Sequence, residues 1–141
     1  MWKQLVLVTM LATTTAASAN ELIADHRALT QSWELLRAAD YGQSTKERAA
    51  FLVRDENGGL KLVPWEFGAE SMRATYRGSI PEGTVAIVHT HPNALPYPSR
   101  GDKELARRLA LPVYVLTRHS VSFTDGSKTE LVARGDWNPS R

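Results

Sequence analysis

Apolar positions between residues 21 and 39 recur mostly at spacings of three and four: Leu22, Ile23, His26, Leu29, Trp33 and Leu36. That period predicts one amphipathic helix from Glu21 to Ala39, stopping at Tyr41-Gly42, where glycine suits a helix end. His26 lies on the apolar stripe and is expected to be packed or at its boundary. From Arg48 to Arg54 the pattern changes to alternation, with Ala49, Phe51 and Val53 on one side. Glu56-Asn57-Gly58-Gly59 is a turn signal, and Leu60 to Trp65 is the return strand of a hairpin. Pro64 marks that strand as an edge.

Residues 66–80 show no clear period; they predict a short turn or helix and then a strand near Arg73–Arg77. Pro81-Glu82-Gly83 is a turn, and Thr84 to Thr90 is a compact strand built on Val85-Ala86-Ile87-Val88. Pro92, Pro96 and Pro98 exclude helix and inner strand from the next segment. Ser99 to Ala110 is helical, with Leu105 and Leu109 one turn apart. Strands follow at Val113–Thr117 and Val121–Thr124 around a turn at His119-Ser120, then a short one near Leu131–Ala133 and a polar tail. Helix, strands, helix, strands is an α+β order.

The first residues stand apart. Met1-Trp2-Lys3 is a short basic start, Leu5 to Ala12 is mostly apolar without charge, and Ala17-Ser18-Ala19 is a run of small residues. Together they fit a secretory signal peptide, residues 1–19, cleaved after Ala19 to leave a domain over residues 20–141. The apolar run is shorter than the roughly 20 residues of a permanent membrane span; the rival reading is an uncleaved anchor. The expected location is the periplasm or the outside of the cell.

With 141 residues the chain holds one small domain. Lysine and arginine number 17 against 15 aspartates and glutamates, and Lys3 leaves with the leader. The remainder is close to neutral, which offers no field for nucleic acid. The absence of cysteine excludes a disulfide framework, a thiolate nucleophile and thiolate-ligated zinc.

Chemistry converges on Val88-His89-Thr90-His91-Pro92. Alternation along a strand points His89 and His91 to the same side, roughly 6.5–7 Å apart at Cα, and Thr90 to the other. Asp102 comes 11 residues after His91, on the far side of a loop stiffened by its prolines. Two imidazoles and a carboxylate suit Zn²⁺ with a water in the fourth position. By itself, Ser99-x-x-Asp102 reads as a helix capping box. A cupin would need a glutamate shortly after the second histidine, and Pro92 to Pro98 contain none. An amidohydrolase barrel needs roughly 250 residues.

His89-Thr90-His91-Pro92, Ser99 and Asp102 resemble the JAMM (JAB/MPN) metalloprotease motif, H-x-H-P-x6-S-x2-D, without insertion or deletion. Glu47-Arg48-Ala49-Ala50-Phe51-Leu52 is similar to the family's upstream E-x2-G-x-L pattern, with Ala50 in place of glycine. The resemblance covers most of the chain beyond the leader. It implies an MPN/JAB-like, cytidine-deaminase-like single domain, with a mixed β-sheet flanked by helices. It also implies a zinc hydrolase of peptide or isopeptide bonds with one Zn²⁺ per chain, held by His89, His91 and Asp102. Glu47 would be the general base and Ser99 the oxyanion donor; Glu56, Glu66 and Glu70 are rival bases in turn or irregular segments. The partner would be a peptide or protein substrate. The alternative is a noncatalytic MPN-like binding or scaffold module in the bacterial envelope.

Elsewhere the bland reading prevails. Trp33 is expected to pack the helix on the sheet, Trp65 to pack the hairpin, and His119 to be exposed; Trp137 has no predicted place. Tyr97, beside the metal loop, is the candidate substrate contact. Arg100, Lys103 and Arg107 share a solvated helix face, and Glu104 and Arg108 are expected to pair at i,i+4.

Overall fold

The computed structural model describes residues 15–43, 47–66, 79–92 and 95–141. Helix α1 (Glu21–Ala24) is followed by α2 (His26–Ala38) and a 3₁₀ turn at Asp40–Gly42. Strands β1 (Ala49–Arg54), β2 (Leu60–Pro64) and β3 (Thr84–Thr90) precede α3 (Arg100–Leu109). Then come β4 (Val113–Thr117), β5 (Ser120–Thr124) and β6 (Thr129–Arg134). The strands form one mixed sheet in the order β2-β1-β3-β4-β5-β6. Every neighbouring pair is antiparallel except β3 and β4, which run parallel across the α3 crossover. The expected α+β architecture is the observed one.

The sheet has helices on both faces because its strands alternate between two apolar sets. Ala50, Leu52, Ala86, Val88, Tyr114, Leu116, Val121 and Phe123 form the larger core with Leu35 and Leu36 of α2. Phe51, Val53, Ile87, Val113 and Val115 turn the other way and meet Ala106 of α3. The turn into β3 depends on Gly83: its φ is +83°, and a Cβ there would lie 2.8 Å from the Arg54 carbonyl oxygen.

Several expectations shift in detail. The first helix is split at Asp25, whose extended backbone ends α1 and whose side chain accepts from the Ala28 N–H to cap α2. His26 consequently begins α2 and is exposed rather than packed. Trp33 does pack against the larger core, beside Tyr41 and edge-on to Trp137. Trp137 is buried, and its Nε1–H donates to the Thr117 carbonyl. Trp65 packs on Phe51, as the hairpin reading requires. On α3, Glu104 pairs with Arg100 and not with Arg108; the same i,i+4 spacing is satisfied on the N-terminal side. Strand β6 is longer than expected. The strand near Arg73–Arg77, Glu70 and the apolar run Leu5–Ala12 lie outside the described residues.

Among the described residues β2 is the terminal strand of the sheet, as Pro64 indicates, and its outer side is covered by polar groups from the first helices. The Leu60 N–H donates to Asp25 and the Leu62 N–H to Gln31, while Arg27 donates to the Leu60 carbonyl. Among the described residues no helix is long and apolar enough to cross a membrane.

Candidate metal centre

The chemistry-bearing residues gather at one end of the sheet, on the α3 side. Parallel pairing sets His89 beside Val115, antiparallel pairing sets it opposite Ala49, and His91 leaves β3 with its N–H on the Leu116 carbonyl. Glu47 enters β1 at the same end, because β1 runs antiparallel to β3. Thr90, on the opposite face, fixes that entry: its Oγ1 accepts from the Arg48 N–H at 2.9 Å, and its own N–H donates to the Arg48 carbonyl at 2.9 Å. In the strand pattern Thr90 stands only as the residue between two histidines. Its β-branched hydroxyl is the signal that it clamps the strand carrying Glu47.

Asp102 does two things at once. As the third residue of α3 it completes a capping box with Ser99: the Ser99 N–H donates to Oδ2 at 2.7 Å, and the Asp102 N–H donates to Ser99 Oγ at 3.1 Å. The same carboxylate faces the histidines, with Oδ1 2.9 Å from His89 Nε2 and Oδ2 2.9 Å from His91 Nε2. Ser99-x-x-Asp102 forms the capping box, and the cap aims the carboxylate inward at the two histidines. Glu47 Oε2 lies 3.4 Å from His89 Nδ1. Glu47, His89, His91 and Asp102 are all buried, and Ser99 is exposed. Glu56 is exposed in the hairpin turn and Glu66 is exposed just after β2, whereas Glu47 is buried.

The ring nitrogens test whether these residues fit a metal. His91 Nδ1 is 2.9 Å from the Leu95 carbonyl oxygen, which can only accept. Asp102 Oδ2, 2.9 Å from Nε2, also only accepts, so the neutral ring with its single N–H can donate to one of the two. The other ring nitrogen then presents a lone pair to an oxygen, and at Nε2 a cation shared with Asp102 would satisfy both. His89 repeats the arrangement, with Nδ1 toward Glu47 and Nε2 toward Asp102. Its Nε2 has no aligned hydrogen bond despite the short distance. The two rings stand nearly perpendicular, at 84° with centroids 4.9 Å apart. Glu47, His89 and His91 can each supply an atom to one group whose members lie within 4.8 Å of one another. This buried group is able to hold a metal ion. Two imidazoles with carboxylate oxygen match zinc's donor preference. The Leu95 carbonyl had no sequence signal, since any residue supplies one.

Without a metal, the charges must balance among themselves. Burial pushes the His89 imidazole down, but the Asp102 and Glu47 carboxylates override it and hold the ring up at about 9. Burial would raise Asp102; the His89 and His91 rings beside it and the Ser99 N–H hold it well below the usual carboxylate range instead. The metal-free domain therefore gains stability from charged His89 below about pH 6.5 and loses it as pH rises toward 9. The depressed Asp102 contributes above its unfolded value of 3.8 and loses that contribution as pH falls. Chelator-treated protein should melt at progressively lower temperature from pH 6.5 to 9. Added zinc should raise Tm most at the alkaline end, because ligand atoms must shed protons to bind it. A flat or rising Tm in chelator over that range would contradict this charge balance.

The model of the prokaryotic homologs of the JAB domain matches residues 27–130. No curated protein and no solved structure matches the chain. The matched span runs from the start of α2 into β6 and takes in every residue of the cluster, and the chain belongs to the family of prokaryotic homologs of the JAB domain.

Proposed function

We propose that this domain is a zinc-dependent hydrolase of peptide or isopeptide bonds, with one zinc per chain. The observation that carries the reading is the pair of imidazole Nε2 atoms, each 2.9 Å from an oxygen of one buried carboxylate, with a second carboxylate behind. His89, His91 and Asp102 would hold the ion, whose chemistry is to acidify a bound water to a pKa near 7 and to polarise the scissile carbonyl. Glu47 would take the proton of the attacking water and deliver it to the leaving amine. Its entry strand is clamped by Thr90, which keeps that carboxylate in one place. Ser99 Oγ already accepts the Asp102 N–H, so its own proton is available to an outside acceptor. Donated to a developing oxyanion, such a bond is worth ~3–4 kcal/mol of barrier. Tyr97, exposed on the loop beside the cluster, would contact the substrate chain.

The amino-terminal pattern supports a periplasmic or secreted enzyme acting on peptides or proteins there. Purified full chain is expected to contain about one zinc per chain and to cleave members of a broad peptide library. A chelator should abolish cleavage and stoichiometric zinc should restore it. Tight zinc binding with no cleavage across the library would instead establish the noncatalytic binding module.

A further inference from the structure

We propose that Ala17–Ala19 are a permanent strap of the folded domain, so that the processed chain begins at or before Ala17 and not at Asn20. The strap is held by backbone and side chain together. The Ala17 N–H donates to the Val85 carbonyl at 3.0 Å, at the start of β3. The hydroxyl of Tyr114, a fully buried residue of β4, donates to the Ser18 carbonyl. The Ser18 N–H donates to Glu21 Oε2 at 2.7 Å, and Glu21 in turn pairs with Arg54 of β1 at 2.9 Å. Ala17 is only 5% exposed within the larger core, and Ala19 packs against it.

Hydrolysis after Ala19 consumes a water and leaves a carboxylate on Ala19 and an amine on Asn20. The residues upstream are then free to leave. Their departure strands the Val85 carbonyl, takes the acceptor from a buried phenol and opens the core over Tyr114. A buried polar group without its partner is strongly disfavoured, so the folded state opposes that cut. Small residues also stand at Thr14 and Ala16, so a cut after Ala16 satisfies the same small-residue requirement. That cut leaves the nitrogen of Ala17 in place against Val85.

The placement bears on the cluster. From Val85 to His89 is four residues of strand, or roughly 13 Å at 3.3 Å per residue. Whatever precedes Ala17 therefore joins the domain at the opposite end of β3 from His89 and His91. A tether there would leave the cluster unobstructed.

The full chain, expressed with its own amino terminus, tests this by intact mass of the recovered protein. A first residue at or before Ala17 is expected; recovery starting at Asn20 overturns the proposal. In the same chain Ala17→Pro removes the donor to Val85 and should lower Tm by about 5 °C. Ala16→Pro, at an exposed neighbour, should leave Tm nearly unchanged. Equal effects at the two positions, or none at Ala17, would overturn it. None of these readouts depends on whether the cluster cleaves anything.

Discussion

Changing Asp102 to asparagine is expected to strip the metal from the domain while leaving α3 in place. Asparagine keeps an oxygen for the Ser99 N–H and so preserves the cap. It loses the negative charge that faces both Nε2 atoms, and it sets an amide N–H₂ against at least one of them. Metal affinity should fall by well over ~100-fold, since even a partner of a ligand is worth 10–100-fold. Zinc analysis after dialysis should find almost none. Asp102→Ala removes the cap as well and should cost a further ~1 kcal/mol in the metal-free state. Comparing the two variants by thermal melting in chelator separates the structural half of Asp102 from the ligand half. Full zinc occupancy in Asp102→Asn would mean that the ion is held by Glu47, His89 and His91 alone, the other arrangement these side chains allow.

Glu47→Gln distinguishes the same two arrangements from the other direction. If Glu47 moves protons, the glutamine variant should keep its zinc and its melting temperature. It should lose cleavage by ~10²–10⁴-fold, the usual worth of a positioned acid–base group. If Glu47 is a ligand, zinc leaves together with activity. Unchanged cleavage would take Glu47 out of the reaction altogether. The amide is nearly isosteric and its oxygen can still accept from His89 Nδ1, so the ring orientation survives the change. Metal content, melting and turnover measured on one preparation decide the role.

Much of the centre was legible in the sequence because its parts are local. Strand alternation alone sends His89 and His91 the same way, and a proline-bounded loop with a capping Ser99 brings Asp102 back. The α+β order and the edge position of β2 were equally readable from periodicity and Pro64. What escaped depends on distant partners. Trp137 sits in a polar tail, and only its bond to Thr117 and its edge contact with Trp33 explain its burial. The break at Asp25 is masked by apolar spacing that continues through it, although aspartate is a favoured cap. The Leu95 carbonyl that faces His91 Nδ1 belongs to the backbone and has no residue code. Ala17-Ser18-Ala19 fit a processing pattern as a run of small residues, and their bonds to Val85 and Tyr114 come from strands far along the chain.

The covered outer side of β2 restricts how a polypeptide can engage this domain. An extended chain seeking to join the sheet by strand addition finds the Leu60 and Leu62 donors already taken by Asp25 and Gln31. It finds the Leu60 carbonyl taken by Arg27 and a proline at the strand's end. Among the described residues, a bound peptide or a second copy extends the ladder there only by displacing Asp25, Arg27 and Gln31, a cover of the kind that guards sheet edges against edge-to-edge pairing.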